Sequence, residues 1–308
     1  MAAPPRDELY NYSLLLPFEE GFTPVPSTQW MQENWYHSLT LSLVYAICIY
    51  FGQKVMSRRS AFELDTLLTV WNAILAVFSI MGALRMSPEF IYVLSKHGFE
   101  YSVCTGGYEY IMTSGFWTQL FVFSKALELI DTIFIVLRKK SLIFLHWYHH
   151  ITVLVYTWHA YKDHTAAGRW FIWMNYHVHA FMYSYYALRS CGWRFPKWIP
   201  MSITTMQLTQ MIVGCAVAFQ AYYTKSKGQF CQQTDENLYF SFAIYFSYFL
   251  LFAQFFYDVY LKKGNRYQQH QKKFQMQNQQ IQNGEVGKNK EKVENGRIGQ
   301  NGEAKKVQ

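Results

Sequence analysis

Apolar residues gathered into seven blocks of about 20 predict an all-α integral membrane protein: seven transmembrane helices forming a bundle around a buried site in the cytosolic half. Three observations carry this expectation. The 308 residues are 51% apolar, and each block has the length that spans ~30 Å of hydrocarbon as helix. Lysine and arginine concentrate in alternate loops between the blocks. Histidines, carboxylates and amides recur inside four of the blocks, where an ionisable group is costly unless partnered and therefore marks function.

Taken in order, residues 1–34 form a polar, slightly acidic segment without the basic start and apolar run of a signal peptide. The triplet Asn11-Tyr12-Ser13 is a glycosylation sequon, relevant if this end is luminal. The expected spans are 36–53, 63–84, 113–137, 142–161, 170–188, 199–223 and 238–261, within a catalytic domain of 35–261. One set of loops carries Lys54, Arg58 and Arg59, then Arg138, Lys139 and Lys140, then Arg189, Arg194 and Lys197. The alternate loops hold mixed charge: Arg85, Glu89, Lys96 and Glu100, then Lys162 and Asp163, then Lys225, Lys227, Asp235 and Glu236. The positive-inside rule then places the N-terminus in the lumen and the C-terminus in the cytosol.

Five cysteines are too few and too scattered for a disulfide scaffold or a zinc site. Cys48 and Cys215 fall in apolar segments and read as small packing residues. Cys104 and Cys231 fall in loops on the same luminal side, where oxidising conditions predict a disulfide between them.

The tail 262–308, rich in Gln, Asn, Lys and Gly, is expected to be disordered. It holds eleven Lys/Arg against four Glu, and so nearly all of the net charge of +8. That concentration fits a basic cytosolic tail near anionic lipid and argues against nucleic acid as a partner. The ending Lys305-Lys306-Val307-Gln308 resembles a dilysine signal for return to the endoplasmic reticulum.

The polar constellation centres on His146-Trp147-Tyr148-His149-His150. One histidine on an apolar helix is most often a satisfied core residue, but three within little more than a turn are not. His159 reads as interfacial, beside Trp158 and Tyr161. In the third span Lys125, Glu128 and Asp131 recur at intervals of three, followed by Thr132, and so form one stripe. The fifth span carries Asn175, His179, Met182, Tyr183 and Tyr186 on a stripe that His177 does not share. The sixth carries Thr204, Gln207 and Gln210, each of which alone could be interhelical glue. All four stripes fall at one depth: His149 lies ~10 Å into the fourth helix from its cytosolic end at 1.5 Å per residue. One site explains that better than four structural accidents.

Three chemistries are open to such a set. The spacing His-x-x-His-His occurs in membrane di-iron desaturases and hydroxylases, which need several such boxes. Here no second box exists, and no metal ligand set is expected. A seven-helix receptor or transporter would use the stripes to bind without turnover. An enzyme moving protons and acyl groups is the third, and clustered histidines with acidic partners suit it.

The series Lys125-x-x-Glu128-x-x-Asp131-Thr132, His146-x-x-His149-His150, His179-x-x-Met182-Tyr183-x-Tyr185-Tyr186 and Thr204-x-x-Gln207-x-x-Gln210 resembles, in order and spacing, the motifs of the very-long-chain fatty acid elongases. The resemblance runs from about residue 29 to 261. The wording of the histidine box, the run Gln29-Trp-Met-Gln-Glu-Asn-Trp35 and Phe144-Leu145 resemble the subgroup of members 3 and 6 most closely. It implies a 3-oxoacyl-CoA synthase of the endoplasmic reticulum membrane with no bound cofactor. Its substrates would be malonyl-CoA and a saturated or monounsaturated acyl-CoA of about C12 to C16. The reductases and dehydratase of the elongation cycle would be partners, with homo-oligomer formation open. No cysteine lies on the stripes, so His149 is expected to take the acyl group and His179 to assist proton movement. His146 and His150 would position the substrate or accept protons, with Glu128 and Asp131 setting imidazole tautomers. Lys125, Asn175, Tyr183, Tyr186, Thr204, Gln207 and Gln210 would contact substrate. At the cytosolic rim, Arg138, Lys139, Lys140, Arg194 and Lys197 would meet CoA phosphates.

Overall fold

A computed structural model describes residues 10–262 and Met276; the expected disorder of the tail and the dilysine ending lie outside these residues. The described chain is helical, without a strand among the described residues. Its helices are α1 (Val25–Asn34), α2 (His37–Ser57), α3 (Asp65–Cys104), α4 (Met112–Leu127), α5 (Ile130–Leu137), α6 (Phe144–Lys162), α7 (Gly168–Ser190), α8 (Trp198–Ser226) and α9 (Asp235–Phe256). A π-helical turn, Tyr257–Leu261, continues α9. Helix occupies every expected span, and four stretches are long and apolar enough to cross a membrane: His37–Ser57, Asp65–Cys104, Trp198–Ser226 and Asp235–Leu261. The chain is thus a multi-pass membrane protein. α6 and α7 dilute their apolar residues with histidines and amides, and α4 and α5 are short.

The lipid-facing character of α2 is legible in what it hides. It buries Ser38, Ser42 and Tyr45 while Leu39, Leu43, Ile47 and Phe51 are exposed. In water that arrangement would be inside out; in hydrocarbon it turns the hydroxyls into the bundle, where Tyr45 meets Thr132, and leaves alkyl groups to the lipid.

Two expectations about element limits are corrected. The loop expected after residue 84 is helix as far as Cys104, with Pro88 inside it and a kink at Gly98, whose φ of 85° is open to glycine at low cost. The charges that read as a loop are neutralised by distant partners. Arg85 pairs with Glu19 of the N-terminal segment at 2.5 Å, and Glu89 with Arg169 of α7 at 3.0 Å, all four carboxylate and guanidinium groups being largely buried. The third span is also not one helix. Between α4 and α5 the bonds tighten to Asp131 N–H → Glu128 C=O (3.1 Å) and Thr132 N–H → Leu129 C=O (3.3 Å), three residues apart instead of four.

α6 and α7 are central. One core cluster joins them to α8 and α9 through Tyr156, Phe171, Met174, Met211, Val217 and Tyr245. The other joins them to α1, α3 and α4 through Met31, Met86, Trp117, Phe121, Leu154 and Tyr176. On the α3 side Phe90 stacks on Trp173 with centroids 4.0 Å apart. Both histidine-bearing helices are therefore fixed from two sides. Cys48 is exposed instead of packed, whereas Cys215 is half-buried. Cys104 and Cys231 are joined by a disulfide.

Candidate active site

The polar groups of α4 and α7 meet first. Lys125 Nζ donates to Glu128 Oε1 at 2.7 Å and to Asn175 Oδ1 at 3.1 Å, with its charge 4.1 Å from the centre of the Phe121 ring. Ser124 Oγ donates to the same carboxylate oxygen at 3.0 Å. Lys125 and Glu128 are each 2% exposed, so their mutual attraction and hydrogen bonds must offset the desolvation of both charges. The second carboxylate oxygen, Glu128 Oε2, lies 4.0 Å from Nδ1 of His179. It has no hydrogen-bond partner although buried.

α6 supplies the facing wall. The His146 and His150 rings lie 4.5 Å apart, those of His149 and His150 5.6 Å, and His149 is 5.0 Å from the ring of Tyr248 on α9. His146 Nε2 is 2.9 Å from Thr132 Oγ1, which is itself 2.5 Å from the Tyr45 hydroxyl. His179, Lys125, Glu128 and His146 are all near enough to act electrostatically on the His149 imidazole. His150 Nδ1, like Glu128 Oε2, is buried without a partner. Unmet polar capacity in a buried cluster is costly and points to a group that arrives from outside.

Asp131 departs from the role expected of it. Its oxygens accept from Trp71 Nε1 at 2.6 Å and from the Tyr183 hydroxyl at 2.8 Å, not from an imidazole. The tightened turn after Glu128 re-aims it, and it braces α3 and α7 one helical turn from His179. Trp71 was not legible as part of this site; an indole N–H inside an apolar span is the only signal that could have found it. Tyr186 is 46% exposed and so lies toward the rim.

The α8 stripe is spread over several partners. Gln207 Nε2 reaches the Met182 sulfur at 3.5 Å, Gln210 is buried near Tyr245, and Thr204 Oγ1 donates to Pro200 C=O at 3.1 Å. At the rim Arg138 is paired with Asp65, and Lys139 Nζ donates to Arg59 C=O at 2.9 Å. These two cations are engaged within the protein, whereas Lys140 is exposed. His159, three residues from the end of α6, is buried in the protein, with Nδ1 2.8 Å from Asn237 Oδ1. His177 stands apart from the site, its Nδ1 2.7 Å from Trp173 C=O. Among the described residues, no three His, Cys, Asp or Glu side chains converge as a metal site.

Comparison with known proteins gives this arrangement its context. The model of the GNS1/SUR4 (ELO) family matches residues 30–268. A Caenorhabditis elegans protein provisionally named fatty acid elongase 3 is 58% identical over 85% of this chain and 82% of its own length. Very long chain fatty acid elongase 6 of Drosophila melanogaster is 50% identical over 82% of this chain and 81% of its own. Very long chain fatty acid elongase 6 of Homo sapiens is 48% identical over 80% of this chain and 92% of its own. The buried cluster of α4, α6 and α7 lies wholly within the matched region, and the chain belongs to the GNS1/SUR4 (ELO) family, the fatty acid elongases.

Proposed function

We propose that this chain is the condensing enzyme of fatty acid elongation, a 3-oxoacyl-CoA synthase. It would join a saturated or monounsaturated acyl-CoA of about C12 to C16 with malonyl-CoA. The observation that carries the reading is the closed cluster of Lys125, Glu128, Asn175 and His179 against the three histidines of α6, with Glu128 Oε2 and His150 Nδ1 unpartnered. Neutral His149 attacks the thioester carbonyl; the C–S bond breaks, CoA leaves as the thiol, and an acyl-imidazole remains. Malonyl-CoA then loses CO₂, and its enolate carbon attacks the acyl carbon. The C–N bond breaks, giving 3-oxoacyl-CoA, and the departing imidazolate takes up one proton from solvent to restore the imidazole. His179, 4.0 Å from Glu128, moves the proton that CoA requires. Asn175, oriented by Lys125, donates its amide N–H to the oxygen on which charge develops.

The same reading takes all seven predicted spans as crossings, α4 and α5 making one between them. It places the N-terminus in the lumen of the endoplasmic reticulum, where exposed Asn11 could accept a glycan. The C-terminus is cytosolic, and Lys140 with Arg194 and Lys197 faces CoA phosphates in place of the engaged Arg138 and Lys139. The reductases and dehydratase that consume the 3-oxo product are its functional partners. The direct test supplies purified full-length protein in lipid with palmitoyl-CoA and malonyl-CoA. A 3-oxo-octadecanoyl thioester and CO₂ in equal amounts, absent without either substrate, are expected. No such product from a folded preparation contradicts the reading.

A further inference from the structure

Decarboxylative condensation consumes a proton. Summed over both halves, an acyl-CoA, malonyl-CoA and one proton give the 3-oxoacyl-CoA, CO₂ and CoA. The first half balances within the site, since the proton that His149 loses goes to the sulfur of CoA. The second does not: the imidazolate left when the C–N bond breaks draws a proton from outside, into a cluster buried among helices.

A path for that proton reaches the cluster from α2. Ser38, Ser42, Tyr45 and Met56, the residues that α2 buries, fall on one face of it, and α2 packs against α5 and α6. The Tyr45 hydroxyl lies 2.5 Å from Thr132 Oγ1 on α5, which in turn lies 2.9 Å from His146 Nε2 on α6. Tyr45 stands outside all four polar stripes. Only one direction of this file engages every proton. When Tyr45 donates to Thr132 and Thr132 to His146 Nε2, both hydroxyl protons and the nitrogen lone pair are used; reversed, the Tyr45 proton has no acceptor among the described residues. His146 therefore holds its own proton on Nδ1. Its ring centre is 4.5 Å from that of His150, which is 5.6 Å from that of His149. Those separations put ring nitrogens within reach of one another, directly or through one water. His150 Nδ1, buried without a partner, is open to such a transfer. On the other side of Tyr45, the Ser42 and Ser38 hydroxyls are also buried without partners. They continue the face ~10 Å toward the start of α2 at 1.5 Å per residue, and buried hydroxyls in that state are ordinary holders of internal water.

We propose that Tyr45 and Thr132 relay to His146 the proton that condensation consumes, drawn from water held along Ser42 and Ser38. A proton enters His146 at Nε2 as its Nδ1 proton passes to His150, and from His150 one passes to the His149 imidazolate. Each hydroxyl gives one proton and receives one, so the file is restored when water reprotonates Tyr45. Tyr45 and Thr132 act through His146 and are positioning residues. The proposal rests on the condensing reading above and supplies the proton which that reading takes from solvent.

The test uses full-length protein in lipid with palmitoyl-CoA and malonyl-CoA, in ordinary and in heavy water. Tyr45→Phe keeps the ring and should lower kcat about tenfold with KM for malonyl-CoA unchanged, less than the ~100-fold of direct proton transfer because water partly fills the gap. The same variant should show a larger solvent isotope effect on kcat than wild type, since proton delivery becomes the slow step. Release of CoA from palmitoyl-CoA alone, which consumes no outside proton, should slow far less than condensation. Thr132→Val should act as Tyr45→Phe does, and Thr132→Ser, which keeps the hydroxyl, should recover most of that loss. Wild-type kcat in Tyr45→Phe, or a lowered kcat with the wild-type isotope effect, overturns the proposal. If Tyr45→Phe fails to fold, Thr132→Val set against Thr132→Ser decides by the same two readings. Wild type giving no 3-oxoacyl product would overturn the condensing reading instead, and the two failures are thereby distinct.

Discussion

The polar side chains of the cluster make different contacts, and single substitutions should separate their effects. If the proposed covalent route holds, His149→Ala removes the attacking nitrogen and should lower the condensation rate by at least a thousandfold, judging by what loss of a nucleophile costs other enzymes. The protein should still fold, because His149 is half-buried and its neighbours pack without it. Size-exclusion behaviour alongside turnover checks both parts. Lys125→Met should act differently: it leaves Glu128, 2% exposed, as an uncompensated buried charge and should cost about 3–5 kcal/mol of stability as well as activity. Thermal unfolding in detergent reads the first, turnover the second. The residues of this network were legible in the sequence as spaced stripes at one depth, because burying charge in an apolar helix has few explanations. What each residue touches was not legible. Asp131 shares the stripe with Glu128, yet it bonds Trp71 and Tyr183, because a three-residue turn re-aims it.

Among elements, sequence reasoning located the helices by their apolar blocks but misjudged where charge ends a helix. Arg85 and Glu89 sit within α3, their partners Glu19 and Arg169 lying 66 and 80 residues away in sequence. No local pattern predicts such pairs. Arg169→Met should therefore destabilise the protein by about 3–5 kcal/mol, leaving Glu89 buried and unpaired. The Glu89→Leu partner change in the same chain should recover most of that loss, as thermal unfolding of the single and double variants would read. In the turn between α3 and α4, burial pushes the Glu109 carboxyl up to about 7, above its value of ~4.3 in an unfolded chain. The folded state thus holds a proton that the unfolded state has lost across that interval. Stability contributed by the protonated form is full below about pH 4.3 and is lost as pH rises toward 7. Glu109→Gln should match wild type at pH 4 and exceed it at pH 8 by on the order of 3 kcal/mol. Melting temperatures at the two pH values check this.

At the scale of the molecule, apolar surface faces outward, polar side chains face inward, and two clusters clamp α6 and α7 so that their stripes meet those of α4. The proposed reading has the bundle receive an acyl-CoA at its cytosolic end, where Lys140, Arg194 and Lys197 are exposed. A covalent route makes the further demand that acyl transfer to the protein precede malonyl-CoA. Intact-protein mass spectrometry after incubating the purified chain with palmitoyl-CoA alone examines that demand directly. The account predicts one added palmitoyl mass, mapping to the peptide that contains residues 146–150 and discharged when malonyl-CoA is added. Sustained condensation with no adduct at any time would contradict it, and would make His149 a base acting within a ternary complex.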